Sequence, residues 1–160
     1  MELCMKTALP FQVSVPENKL QEILRRVTVF QWSKVPDLDG WETGTNKAWL
    51  NEFCDYWVEK FDWRCQEKLL NEFDHFVANI DGLKTHFIYE HGSGTNPKPL
   101  LLTHGWPGSF AEFLKLIEPL AHPERFGGNV EDAFTVVVPS LPGFGYSEAP
   151  PKPWGPRRMA

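Results

Sequence analysis

"LLLTHGWPGSFAEF", residues 100–113, decides the fold, because an apolar run passes directly into a glycine and proline corner and then into a helix signal. The leucines predict a buried strand over residues 100–103. Ser109 and Glu112 have the spacing of a capping box, in which each side chain satisfies an unpaired amide at the start of a helix. A strand, a tight corner and a helix in this order predict the beginning of a β-α-β unit.

A second apolar run, residues 134–138, follows the predicted helix and completes the unit. The helix, expected over residues 109–120, has one apolar face, made by Phe113, Leu114, Ile117 and Leu120. Because both strands are apolar throughout, we expect them to be buried on both faces and to run parallel in an α/β sheet. Ahead of the unit, two alternating runs in residues 76–90 flank Asp81-Gly82, which predicts a β-hairpin.

The first part of the chain has helical periodicity instead. Ser14 and Glu17 predict a capping box for a first helix. A second pattern, from Trp49 to Phe61, is rich in aromatic residues, and Asp62 predicts the N-cap of a third helix. We interpret the apolar side chains of these helices as core.

The predicted fold class is therefore α/β. A helical segment over residues 9–75 precedes residues 76–160, which contain the first strands of a sheet, a hairpin and a β-α-β unit.

Composition restricts the class of function. The 160 residues fit one ordinary domain, and 42% hydrophobic with 23% charged residues is typical of globular proteins. A net charge of −5 opposes a nucleic-acid partner, and the Arg157-Arg158 pair is too small to change that. No apolar run approaches the ~20 residues that span a bilayer. Cys4, Cys54 and Cys65 lack C-x-x-C spacing and no signal peptide precedes them, so we expect a reduced, cytoplasmic setting.

The corner at residues 104–108 is the candidate site, since ligands of open parallel sheets bind beyond the carboxyl ends of the strands. Gly105 and Gly108 are expected where a side chain would clash, and Pro107 fixes its φ and removes a donor. These features favour a preorganised amide, that of Trp106, as the donor of an oxyanion hole or anion nest. The alternative is a tight turn that binds nothing.

A second corner, "PSLPGFGYSEAP" at residues 139–150, follows the second strand and marks the same rim of the sheet. Gly143-Phe144-Gly145 matches neither dinucleotide nor phosphate-loop spacing. Ser147 lacks the flanking glycines of a nucleophile elbow and is interpreted as a loop serine. The other histidines show no metal-ligand spacing, which gives metal binding little support; they are His75, His86, His91 and His122.

"HGWPGS" (104–109), "PSLPGFGYSEAP" (139–150) and "DYWVEKFDWRCQEKLLNEFDHF" (55–76) together resemble the epoxide hydrolases of the microsomal and juvenile-hormone type, which have the α/β-hydrolase fold. The resemblance covers nearly the whole chain from Leu9 onward. It implies that residues 9–75 are the helical N-terminal region of such an enzyme, with the family region reaching about residue 115. Residues 76–160 would begin the hydrolase domain and would contain the first strands of a sheet that is incomplete within them.

The resemblance also implies a chemistry without cofactor or metal. A carboxylate opens a small apolar epoxide to a covalent ester, and a water activated by a histidine and an acid releases the diol. The Trp106 amide would stabilise the oxyanion formed from the ester. His104 would be structural, and would support the corner with Gly105, Pro107 and Gly108.

No G-x-D-x-G or G-x-S-x-G occurs in these residues. In the family that the chain resembles, the nucleophilic Asp follows the second parallel strand, and the acid and the histidine come later still, so the resemblance implies that these residues contain none of the three. "WGPRRMA", residues 154–160, resembles the first turn of the helix before that elbow. We therefore expect an N-terminal portion of an epoxide hydrolase that is inactive alone. One alternative is a truncated, non-catalytic protein that binds a partner, such as a full-length homologue, through its helical segment or through an exposed strand edge at residues 100–103, where it could also self-associate. The other is an unrelated domain that uses the Trp106 corner as an anion nest.

Overall fold

The computed structural model describes residues 8–36, 40–42, 44–155 and 159. Cys4, the Arg157-Arg158 pair and most of the turn predicted at the chain end lie outside the described residues. The contacts divide the chain into two compact units. The helical unit is Ser14–Lys68, and the sheet unit joins the described residues before Ser14 to those after Lys68. The sequence pattern placed the change from helices to strands later, at residue 76.

The helical unit contains the three expected helices, α1 (Glu17–Thr28), α2 (Lys47–Glu59) and α3 (Trp63–Leu70), whose last two residues belong to the sheet unit. The predicted N-cap of α3 is confirmed, because the Asp62 carboxylate accepts a 3.1 Å hydrogen bond from the Cys65 amide. None of the described helices is long and apolar enough to cross a membrane.

The capping box predicted for α1 is wrong. The N-cap of α1 is Pro16, which offers no side-chain cap, and Glu17 is the first helical residue. Ser14 therefore lies too far before the helix to reach its free amides. The Glu17 carboxylate instead binds Arg64 at 2.9 Å, and Arg64 also donates to Glu67 at 2.7 Å. Glu17, which the local pattern assigned to the cap, therefore forms an ion pair with Arg64 of α3.

The interpretation of the apolar helical side chains as core is wrong for α1 and α2, whereas Leu70 and Phe73, from the end of the third pattern, are half-buried against the core of the sheet unit. No residue of α1, α2 or α3 is buried. On α2, Trp49 and Phe53 stack with centroids 5.5 Å apart, but their side chains are 48% and 45% exposed. Together α1, α2 and the start of α3 line a groove of about 850 Å³. The spacing predicted the shared face correctly, but no described residue of this unit covers it.

The sheet unit contains a five-stranded sheet in the order β1-β2-β3-β5-β4. The strands are β1 (Leu9–Phe11), β2 (His75–Ile80), β3 (Leu83–Glu90), β4 (Lys98–Leu101) and β5 (Phe134–Pro139). The predicted hairpin of β2 and β3 is confirmed, with positive φ angles of 51° at Asp81 and 83° at Gly82. The sequence did not predict β1, which pairs antiparallel with β2.

The predicted parallel pair is confirmed, since β4 and β5 run parallel with Leu100 opposite Val136. Between them, the chain forms a 3-10 turn (Phe110–Phe113) and α4 (Leu114–Ala121). The predicted apolar face of this helix packs on the sheet, where Ile117 is fully buried with Ile88, Val136 and Val138.

The expectation that both strands are buried on both faces is confirmed for β5 and wrong for β4. Residues of β5 are buried or half-buried, whereas Leu101 of β4 is 62% exposed. The strand also begins two residues earlier than predicted, at Lys98. Its position explains its exposure, because β4 is an edge strand with β5 as its neighbour on one side.

Candidate functional site

The loops that follow β4 and β5 meet at one rim of the sheet, as the sequence predicted. The Leu141 amide, from the loop after β5, donates a 3.1 Å hydrogen bond to His104 Nε2, from the loop after β4. The Phe144 ring packs edge-on against the His104 ring, with centroids 5.2 Å apart. The carboxyl ends of neighbouring parallel strands bring these loops together, although 37 residues separate His104 from Leu141.

His104 is buried, with 4% of its surface exposed, and both of its ring nitrogens have partners. Nδ1–H donates to the Gly105 carbonyl at 3.0 Å, and Nε2 accepts from the Leu141 amide. The donor on one side and the acceptor on the other define the neutral tautomer with its proton on Nδ1. The ring therefore has no free nitrogen for a general base and joins the two loops instead.

The position of His104 also sets the direction of the Trp106 amide. The Gly105 carbonyl and the Trp106 N–H belong to one trans peptide unit, so they point in opposite directions. Because His104 holds the carbonyl, the amide points away from the imidazole. Among the described residues the Trp106 amide has no hydrogen-bond partner. The Trp106 residue as a whole is 84% exposed. A fixed, unpaired N–H at a strand end is a donor to which an anion can bind.

The rest of the corner supports this backbone path. The capping box predicted for the following helix is confirmed, because Ser109 N–H donates to Glu112 at 3.1 Å and the Ser109 hydroxyl accepts from the Ala111 amide at 3.3 Å. A Cβ at Gly108 would collide with the Glu112 carboxylate, as expected. The corresponding expectation for Gly105 is wrong, since no atom lies within 4 Å of a Cβ built there. The Trp106–Pro107 peptide bond is cis.

A second polar cluster lies at the other end of α4. Ser93 Oγ lies 2.5 Å from His122 Nδ1, and His122 Nε2 lies 2.9 Å from Glu90 Oε1. These residue types resemble a serine, histidine and acid arrangement. The Ser93 hydroxyl, however, also donates to Glu124 at 2.9 Å, so its proton is not reserved for the histidine. The cluster fastens the β3–β4 loop to the end of α4.

Three further histidines lie in the sheet unit. His75 and His86 contact each other in the core, and His91 lies 3.2 Å from the Thr135 hydroxyl. No group of three or more His, Cys, Asp or Glu side chains within the described ranges has the arrangement of a metal site. Neither the hydrogen bond from the Leu141 amide to His104 nor the pairing of His75 with His86 was predicted from the sequence. The alternation along β3 was the available signal, because it places His86 on the same face as buried Ile88.

Comparison with known proteins adds the family. A profile described as "Epoxide hydrolase N terminus" matches residues 8–113, and one described as "alpha/beta hydrolase fold" matches residues 98–158. A putative epoxide hydrolase from Stigmatella aurantiaca is 43% identical over 152 residues, which are 94% of this chain and 34% of that protein. Epoxide hydrolase 1 from Sus scrofa is 38% identical over 147 residues, 89% of this chain and 32% of that protein.

Among solved structures, the juvenile hormone epoxide hydrolase of the silkworm Bombyx mori matches with a TM-score of 0.79 and 31% identity. The match covers 95% of this chain and 37% of that one. The chain thus spans about a third of the length of the curated relatives it matches. The mixed sheet with α4 packed on it is the corresponding part of an α/β-hydrolase domain. With the family profile matched over residues 8–113, the chain belongs to the epoxide hydrolase N-terminus family.

Proposed function

We propose that this chain supplies the oxyanion-stabilising corner of an epoxide hydrolase, with the Trp106 backbone amide as the donor. The observation that carries the proposal is the direction of that amide, which is set by the hydrogen bond from His104 to the Gly105 carbonyl. Membership of the family and the epoxide hydrolase relatives supply the reaction class. The substrate class is a small apolar epoxide.

The role of the corner follows from the reaction. A carboxylate attacks an epoxide carbon, the C–O bond breaks, and an ester forms, while the ring oxygen stays on the neighbouring carbon and takes a proton from an acidic donor to become a hydroxyl. Water then attacks the ester carbonyl, and negative charge collects on its oxygen. The Trp106 N–H would donate to this oxygen, and removal of one such donor lowers kcat about 10²- to 10³-fold. His104, Gly105, Pro107 and Gly108 hold the donor in place.

The 160 residues contain no nucleophile-elbow sequence, so we propose that they do not turn over epoxides alone. The purified chain, incubated with an aryl epoxide such as styrene oxide, is expected to form no diol above the buffer rate. Sustained turnover would show that another carboxylate in these residues acts as the nucleophile. The result decides the nucleophile question and leaves the role of Trp106 to a separate experiment.

The role of the Trp106 amide can be measured in a chimera in which this chain replaces the matching segment of the Stigmatella aurantiaca relative. Trp106→Pro removes the N–H, whereas Trp106→Ala removes the exposed ring and keeps the N–H. We expect the proline variant to lose about 10²- to 10³-fold in kcat and the alanine variant to stay within about tenfold of the parent. Equal kcat values for the two variants would remove the amide from the mechanism.

A second candidate function, self-association, rests on the exposed edge strand. Leu101 is 62% exposed on β4, and an apolar parallel edge can pair with another chain. We infer that the chain associates with itself through β4. Light scattering should then show a mass above 18.4 kDa that falls when Leu101→Lys adds a charge to the edge. A monomeric parent chain would contradict this function, and so would association that the lysine leaves unchanged.

A further inference from the structure

Two buried histidines in the sheet unit share a hydrogen bond that the proposed reaction does not use. His75 begins β2 and His86 lies on β3, and they are 3% and 0% exposed. His75 Nδ1 lies 2.8 Å from His86 Nε2, and the rings stack with centroids 5.1 Å apart. Two imidazoles in such contact cannot both direct an N–H at the other, so their proton positions are linked.

Fixed partners at both ends define those proton positions. The Leu70 carbonyl only accepts, so His75 Nε2–H donates to it at 2.7 Å. In neutral His75 the Nδ1 is then an acceptor, and His86 Nε2–H donates to it. His86 Nδ1 accepts in turn from the Ser140 hydroxyl at 2.9 Å. A single direction of donation satisfies all four ring nitrogens while both rings are neutral.

The surroundings of the pair disfavour charge. The rings of Phe11 from β1, Phe110 from the 3-10 turn and Tyr146 from the loop after β5 lie 5.2–5.3 Å from the His86 ring. Burial, followed by the neighbouring His75, lowers the pKa of His86 to about 4. Burial also lowers the pKa of His75, and is opposed there by the Leu70 carbonyl and by the charge of Asp74.

The charged and titratable groups around the pair are few among the described residues. Asp74 precedes β2, and the Tyr146 phenol belongs to the ring that packs on His86. Farther along β3, the Glu148 carboxylate accepts from the Lys84 amide at 3.2 Å. The elements that pack on the rings from β1 and the 3-10 turn contribute uncharged phenylalanine side chains.

The number of ring nitrogens that can carry a proton limits how the His75–His86 pair responds to acid. One added proton can be accepted on His86 Nδ1 if the Ser140 hydroxyl rotates to accept from it, or on His75 Nδ1 if the direction of donation between the rings reverses. A second proton would place two N–H groups against each other across the 2.8 Å contact. The folded pair therefore takes up at most one proton beyond those of its two neutral rings, and holds it in the core. In the unfolded chain both histidines take up protons near pH 6.5.

The pair fastens the loop that follows β5. The His86 amide donates to the Ser147 hydroxyl at 2.9 Å, and that hydroxyl donates to the Ser140 carbonyl at 2.7 Å. Together with the Ser140 side chain on His86 Nδ1, these bonds close the 140–148 loop onto β3. The next residue, Leu141, donates to His104. A change at the pair would thus reach the loop that holds the Trp106 corner.

We propose that the His75–His86 pair is an acid-sensitive latch, in which the His86 ring holds Ser140 at the start of the 140–148 loop until a second added proton forces the two rings apart. The folded pKa values lie below the unfolded ones, so the stabilisation is complete above about pH 6.5 and is lost as the pH falls toward about 4. The folding equilibrium constant falls up to about a hundredfold per pH unit while both rings are neutral, and up to about tenfold after one proton is bound.

The test uses urea unfolding of the full chain between about pH 6.5 and 5.0, above the range in which most carboxylates titrate. The folding equilibrium constant of the parent chain should fall about tenfold to a few hundredfold over this range. His86→Gln should remove about half of the fall on a logarithmic scale, and His75→Gln with His86→Gln nearly all of it. His91→Gln changes an exposed histidine and is the matched control, which should keep the parent's pH dependence.

Nitrogen-15 NMR of the parent chain provides a readout that does not depend on the variants folding. At about pH 6.5 both rings should be neutral and carry their protons on Nε2. The proposal is overturned if either ring is charged at that pH, or if the double variant keeps the pH dependence of the parent. A purely structural role for the pair would lower stability in the variants without changing its pH dependence.

Discussion

The helices of the helical unit and α4 of the sheet unit have similar apolar periodicity, but only α4 has buried residues. In the helical unit α1, α2 and α3 contain no buried residue. In the sheet unit Ile88, Ile117, Val136 and Val138 are fully buried, because α4 covers one face of the sheet. The difference teaches that periodicity defines which side chains share a face, whereas a second layer of structure decides whether that face becomes core.

The largest expected effect separates the two units directly. Ile117→Ala removes a fully buried side chain from the sheet unit and should lower the free energy of unfolding by about 2–5 kcal/mol, because a cavity remains. Phe53→Ala, in the helical unit, removes a side chain that is 45% exposed and should lower it by less than about 1.5 kcal/mol. Urea unfolding followed by circular dichroism measures both. Equal losses would mean that the aromatic face of α2 is covered in solution.

A pair of glycines tests whether the close packing of the sheet unit extends into its loops. Gly145 has a φ of 52°, and a Cβ there would collide with the Ser140 hydroxyl that binds His86. We expect Gly145→Ala to lower the free energy of unfolding by about 2–4 kcal/mol, from backbone strain and overpacking together.

The control, Gly82→Ala, has a φ of 83° with no atom within 4 Å of the new Cβ. Strain alone should lower the free energy of unfolding by about 1–2 kcal/mol in this variant. Thermal or urea unfolding compares the two variants under identical conditions. If Gly82→Ala is as destabilising as Gly145→Ala, the 140–148 loop is not closely packed.

The smallest expected effect concerns local structure in the helical unit. Asp62→Ala removes the cap of α3 and should lower the stability of this unit by about 0.5–2 kcal/mol. Ser14→Ala should change it by less than about 0.5 kcal/mol, because Ser14 does not cap α1. Tryptophan fluorescence suits the measurement, since five of the seven tryptophans lie in this unit; they are Trp32, Trp41, Trp49, Trp57 and Trp63. A larger loss for Ser14→Ala would restore the predicted capping box.

Much of the sheet unit could be predicted because its signals are local. Asp81-Gly82 specifies a turn, and Ser109 with Glu112 starts a helix, through contacts between residues at most three positions apart. The strand β1 gave no such signal, since three residues with a central proline do not alternate clearly, and pairing with β2 defines it. The failed cap at Ser14 has the same cause, because Arg64, 47 residues away, binds Glu17.

The features of the candidate site also differ in whether they could be predicted from the sequence. The glycines and proline around Trp106 indicated a corner, and its place after a parallel strand indicated a ligand-facing rim. The direction of the Trp106 amide was not available from the sequence, because it depends on the hydrogen bonds of His104 on both sides. A histidine in a sequence does not state which of its nitrogens carries the proton.

The sequence by itself determined the helices and strands other than β1, the hairpin and the position of the corner, because caps, turn residues and periodicity depend on neighbours in the chain. It also indicated the parallel pair, because two apolar strands flank a helix. Only the tertiary structure decided which apolar faces are buried, that β4 is an edge, and how His75, His86 and His104 share their protons. Those properties arise from partners that are 11, 37 and 54 residues apart in the chain and meet only after folding. Burial then removes the water that would otherwise satisfy each polar group, so the geometry of those partners decides the chemistry.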